Sequence, residues 1–173
     1  MGAGHQIGDH HLQLLDVGLC IRLPVVRLAI GQRRRMSRSG YSDDCETWSL
    51  IRWRGAVASA LRGRRGQEFL IELRDALDAM PDKKLIADRL QDTSGCFCTL
   101  GVIGAKRGID MSGLDPNDRE AVSAKFGIAE AMAAEIVFEN DEAWSWKRET
   151  PEQRWVRMRE WVGQQIRTSG TAP

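Results

Sequence analysis

The sequence predicts an all-α fold, a compact bundle of about five or six helices built on a helical hairpin over residues 47–80. Two patterns carry that prediction. Apolar residues recur at spacings of three and four through most of the chain after Met36, and Gly, Pro, Thr and Asp fall where those runs begin and end. At 173 residues the chain is also long enough to bury a core with no disulfide or metal to staple it.

The hairpin is read from TWSLIRWRGAVASALRGRRGQEFLIELRDALDAM. In its first half Leu50, Trp53, Val57 and Leu61 share one helical face, with Thr47 or Asp44 as the N-cap. Gly63 suits a left-handed stop, and Arg64, Arg65 and Gly66 are expected to form a short turn. Phe69, Leu70, Leu73, Leu77 and Met80 make the second stripe; Glu68 is placed in the first turn, where the helix dipole favours acid, and Pro81 ends the run. Arg52, Arg54, Glu72 and Asp75 fall off both stripes, on a solvated face.

Beyond Pro81, residues 84–90 suit a short helix or strand, and Asp92, Thr93, Ser94 and Gly95 compose a turn. Residues 99–106 mix Leu100, Val102 and Ile103 with Gly101 and Gly104. Neither GxGxxG nor GxxxxGK[ST] is present, so these glycines are read as small residues that let helices approach closely. In the loop 109–116, Asp115 is expected to cap the next helix, with Pro116 in its first turn. The carboxylates Asp110, Asp115, Asp118 and Glu120 lack the calcium-loop spacing and are read as capping groups.

Residues 117–140 have the spacing of a helix-turn-helix, with Gly127 in the turn. A DNA-reading second helix would be AEAMAAEIVFEND, whose Glu130, Glu135 and Glu139 repel phosphate. A helical pair packed in the core is the favoured reading. The last helix opens at Thr150 and Pro151; Trp155 and Trp161 are expected in its core face, with Arg154, Arg157 and Arg159 mostly on the other. Trp144 and Trp146 flank a serine before it, either as a lid on the bundle or as partner anchors.

Composition narrows the function classes. The 42% hydrophobic and 28% charged content is ordinary, and 25 basic against 24 acidic side chains leave a net charge of +1, which lacks the overall basic bias of a nucleic-acid coat. The charges are segregated, however. Residues 33–66 hold nine Arg and three acids, while residues 129–142 hold five acids and no base. Such a dipolar surface suits a protein partner at least as well as phosphate. The candidate partner-binding residues are Arg62, Arg64, Arg65, Trp144 and Trp146. Nucleic acid is the alternative partner, met by the RGRRG turn or the helix-turn-helix-like pair. Lys106 and Arg107 would extend the basic patch.

No catalytic residue is proposed and the chain is read as a non-enzyme, because all three His precede residue 12 and the carboxylates are explained as caps. No cofactor is expected. Cys20, Cys45, Cys96 and Cys98 lack a framework spacing and are read as reduced thiols; Cys96 and Cys98 supply two metal ligands at most, so no metal is expected. Asp16, Arg22, Pro24 and Arg27 interrupt the apolar run 12–30, which is not read as a membrane span or a secretory leader. Residues 1–35 are treated as an extension, with Met36 as the expected native start; a tail or one added strand or helix is the alternative. Residues 36–166 form the expected single helical domain, and 167–173 a flexible tail.

The runs GYSDDCETWSLIRWRGAVASALRGRRGQEFL, RGIDMSGLDPNDREAVSAKFGIAEAMAAEIVFENDE and ETPEQRWVRMREWVGQQI resemble a group of small uncharacterised proteins encoded by phages and prophages of Proteobacteria. The resemblance covers about residues 36–166. It implies a phage-related setting in a bacterial cytoplasm, and it brings no functional residues with it.

Overall fold

The computed structural model describes residues 47–142 and 149–167. The extension 1–35, Asp44, Cys20, Cys45, Trp144 and Trp146 lie outside the described residues. Six helices follow in order: α1 (Thr47–Arg62), α2 (Arg64–Ala79), α3 (Thr99–Lys106), α4 (Arg119–Phe126), α5 (Glu130–Asp141) and α6 (Pro151–Gln165). Among the described residues there is no named strand, only a single antiparallel bridge between Gln91 and Phe97. The described region is an all-α bundle. Its centre is made of α2 and α5, and α1, α3 and α6 each pack on both, while α4 lies against α5.

The expected helix pair forms with a tighter joint than the sequence suggested. Gly63 alone links α1 to α2, with φ −65° and ψ 153°, so it is an extended N-cap and not a left-handed stop. Arg64, Arg65 and Gly66 become the first turn of α2, not a turn between helices, and Glu68 moves to the second turn. Gly66 is needed there because a Cβ would sit 2.0 Å from the Ala60 carbonyl oxygen. The stripe of α2 is as expected: Phe69, Leu70, Leu73 and Leu77 are buried and Met80 packs partly against them.

The end of α2 is held by side chains. Lys83 Nζ and Trp155 Nε1 both donate to the Leu77 carbonyl, adding to the bond it accepts from the Met80 amide at the helix end. At the other corner Gln67 donates to the carbonyls of Leu61 and Gln165 and accepts from the Arg167 amide. One amide thus joins the ends of α1 and α6.

Residues 84–90 are neither helix nor strand. Leu85 and Leu90 are nonetheless buried, and the backbone there finds distant partners: Leu85 N donates to Pro151 O, Ile86 N to Phe97 O, and Leu90 O accepts from Cys98 N. The turn at 92–95 is present, closed by Asp92 Oδ1 accepting from the Ser94 and Cys96 amides. In α3 the close approach at Gly101 is to a loop, since a Cβ would lie 1.8 Å from Leu90 O. Gly104 faces Met111 and the Phe126 ring.

The α4 cap falls three residues later than expected. Asp118, not Asp115, accepts from the Ala121 amide, while Asp115 closes a preceding turn on Asn117. Gly127 then adopts φ 67°, the left-handed stop that lets α5 begin at once. Ala131, Met132, Ala133, Ala134, Ile136, Val137 and Asn140 of α5 are buried, so the second helix of the helix-turn-helix-like pair is a core element. The α6 start is as expected, with a capping box between Thr150 and Gln153 and Pro151 in the first turn.

Candidate functional site

The three candidate arginines stand together where α1 meets α2, and all three are exposed. Arg64 pairs with Glu68 at 2.9 Å, but both side chains are largely in water, so the pair holds Arg64 only weakly. Arg62 and Arg65 make no ion pair among the described residues. No acidic residue lies in the first turn of α2, and no side chain caps it, so its positive end adds to the same field.

Arg64 and Arg65 form one wall of an open groove of about 600 Å³. Gly63 and Gly66 lie beside them, Ser123 and Ala124 of α4 also line it, and Ile128, Ala129 and Met132 add apolar lining at the start of α5. The α5 N-cap, Ala129, also lacks a side-chain hydrogen bond. Glu130 is in that first turn and reaches Arg119 at 3.8 Å, so this second helix end already has an acid beside it. The groove is therefore positive on the α2 side and closer to neutral on the α5 side.

Lys106 and Arg107 do not extend the patch. Arg107 is clamped to Glu72 through two guanidinium nitrogens, donates to Phe126 O and lies over the Phe69 ring, with its centre 5.1 Å from the ring centroid. That contact also holds the Glu72 carboxyl below its ordinary range. Lys106 lines a separate depression of about 480 Å³ beside Met80, Phe97 and Val102, with Cys96 at its edge. Cys98 is buried and turned into α3, where its Sγ accepts from the Gly101 amide; burial raises the thiol to about 12. Among the described residues no group of three or more His, Cys, Asp or Glu is placed to hold a metal ion.

The sequence reading missed a polar cluster at the C-terminal end of α5. Arg154 and Arg157 were expected on the solvated side of α6, but both side chains are mostly buried around Glu149. Arg157 binds Glu149 through two nitrogens and donates to Glu139 O, and Arg154 donates to Asn140 O and Leu85 O. Two guanidiniums thus satisfy the final carbonyls of α5, where the helix dipole favours positive charge. Asn140 completes the cluster: it accepts from the Thr99 amide and hydroxyl and donates to Ile86 O. A signal was present in the spacing, since Arg154 precedes buried Met158 by one helical turn and Arg157 precedes Trp161 by the same interval. Trp155 and Trp161 are half-buried against the core, as expected.

No family model matches the chain, and neither a curated protein nor a solved structure matches it. Among the described residues no helix is long and apolar enough to cross a membrane.

Proposed function

We propose that the protein is a non-enzymatic binding protein, a phage or prophage accessory factor that acts by engaging a host or phage protein through Arg62, Arg64 and Arg65. The observation that supports this reading is an open groove at the uncapped start of α2 that two exposed arginines, Arg64 and Arg65, line, with exposed Arg62 close by in the chain. An acidic partner segment laid there receives charge-assisted hydrogen bonds from the guanidiniums and from the free backbone amides of the first turn. The apolar lining at Ile128 and Met132 offers a place for a neighbouring aliphatic side chain. The phage setting is supported by the resemblance of the sequence runs alone.

Phosphate would meet the same arginines, so nucleic acid is the rival partner. Against it stand the near-neutral net charge and the burial of α5, the helix a helix-turn-helix reader would insert. Affinity purification of the full chain from the cells that produce it, beside a variant with Arg62, Arg64 and Arg65 all changed to Gln, separates the two. A stable protein partner that is lost in the variant is the expected result. Co-purified nucleic acid, or a partner retained unchanged by the variant, would overturn the proposal.

A further inference from the structure

The outer side of α1 differs from an ordinary solvated helix face. Its 16 residues include no acid, and the stripe turned to solvent runs through Trp48, Ile51, Arg52, Gly55 and Arg62. Trp48 is 72% exposed and Ile51 51% exposed. One exposed apolar residue needs no explanation, but a Trp and an Ile one turn apart, flanked by arginine, have the composition of an interface. Gly55 makes an open notch between them and Arg62, since a Cβ there would meet nothing within 4 Å.

The complementary stripe is on the same molecule. On α6, Glu152, Val156 and Glu160 follow one another at helical spacing, all exposed, with Val156 at 57%. Arg154, Arg157 and Arg159 of that helix are engaged elsewhere, with Glu149, carbonyl oxygens and Asp78. Among the described residues the stripe is therefore acidic around an apolar centre, tempered by an exposed contact of Lys84 with Glu152 at 3.4 Å and by a hydrogen bond from Gln164 to Glu160 at 3.3 Å.

We propose that α1 of one copy docks on α6 of a second copy, antiparallel, with Val156 seated in the Gly55 notch. In that register Ile51 falls opposite Glu160 with Arg52 one position along, beside Arg159, whose guanidinium is held by Asp78, and Arg62 lies within one turn of the position opposite Glu152. Trp48 then covers the helix at Gly163. At the helical rise the charges of the α1 stripe, Arg52 to Arg62, are about 15 Å apart and those of the α6 stripe, Glu152 to Glu160, about 12 Å apart, close enough for both ends to engage together. The contact uses different surfaces on the two copies, so each copy keeps one free face of each kind and growth continues head to tail. Only a few residues per side are involved, well under the roughly 800 Å² per partner of a standard interface, so the association is weak.

Other occupants fit less well. Residues 1–35 carry five Arg and two Asp, the same sign as the α1 face. The acidic run 129–142 belongs largely to α5, whose apolar residues are buried and cannot present an anchor.

Sedimentation equilibrium of the full chain, from about 10 µM to about 1 mM, tests this directly. The weight-average mass is expected to rise above the 19.4 kDa of one chain as concentration increases. Arg52→Glu alone and Glu160→Arg alone should each weaken association about tenfold or more, and the double variant should return to within about threefold of the unmodified protein. Circular dichroism on each variant establishes that these exposed substitutions leave the helices intact. A mass that stays at one chain throughout would overturn the proposal, whether because α1 meets a different protein, is covered by residues 1–46, or meets nothing. Association indifferent to Arg52→Glu, or unrestored in the double variant, would overturn it too. The variants leave Arg62, Arg64 and Arg65 in place, so failure here does not touch the proposed binding function.

Discussion

Glu149 and Glu139 share a neighbour, Arg157, yet are pushed in opposite directions. The hydrogen bonds from Arg157 hold Glu149 below the ordinary glutamate value of 4.5, whereas burial holds Glu139 above it. The linkage signs therefore differ. Glu149 contributes stability above its unfolded value and loses it as pH falls from there through its folded value; Glu139 costs stability at neutral pH, and the cost is relieved as pH falls through its raised folded value. Glu149→Gln should lower unfolding free energy at about pH 7 by about 1.5 to 3 kcal/mol, the range for a hydrogen bond to a charged group. Glu139→Gln should raise it there and make no difference once the pH is below the ordinary glutamate value. Urea unfolding across that range reads both signs, and a Glu139→Gln protein less stable than its parent at neutral pH would show that the carboxylate is better satisfied than its burial implies.

Among the elements, α2 was the most legible, because a helix packed by α1, α3 and α6 must bury one long stripe, and a stripe is a periodic signal. Leu73 is fully buried in it, so Leu73→Ala should cost about 2 to 5 kcal/mol in a thermal or urea melt. Residues 84–90 were illegible for the opposite reason: Leu85 and Leu90 reach the core from a backbone satisfied by Pro151, Phe97 and Cys98, and partners so far away in the chain leave no local period. The glycines of α3 were read as contact residues, and the contact at Gly101 is with Leu90 O, across that same irregular segment. Gly101→Ala should cost about 1 to 3 kcal/mol or more, because the obstacle is backbone and cannot rotate away. An unchanged melting midpoint would mean that the segment carrying Leu90 yields freely.

At the scale of the whole molecule, the fold class followed from periodicity, while the candidate site followed from composition and only in part. Arg62, Arg64 and Arg65 were visible as a basic cluster, but that Arg64 and Arg65 border a groove depends on α4 and α5 coming alongside the α1–α2 joint, which nothing local encodes. Arg107 shows the limit of counting charges, since its neighbour in space, Glu72, is 35 residues away and removes it from the patch. Salt dependence is where the proposed protein-binding reading and the phosphate-binding one part. Fluorescence polarisation of labelled DNA and RNA against the full chain, at low and rising salt, is the most direct measurement. The account predicts no sub-micromolar binding and no change on replacing Arg62, Arg64 and Arg65 with Gln. Sub-micromolar binding that weakens with a log-log slope of about 0.7 to 0.9 per arginine contact, and disappears in the triple variant, would contradict it.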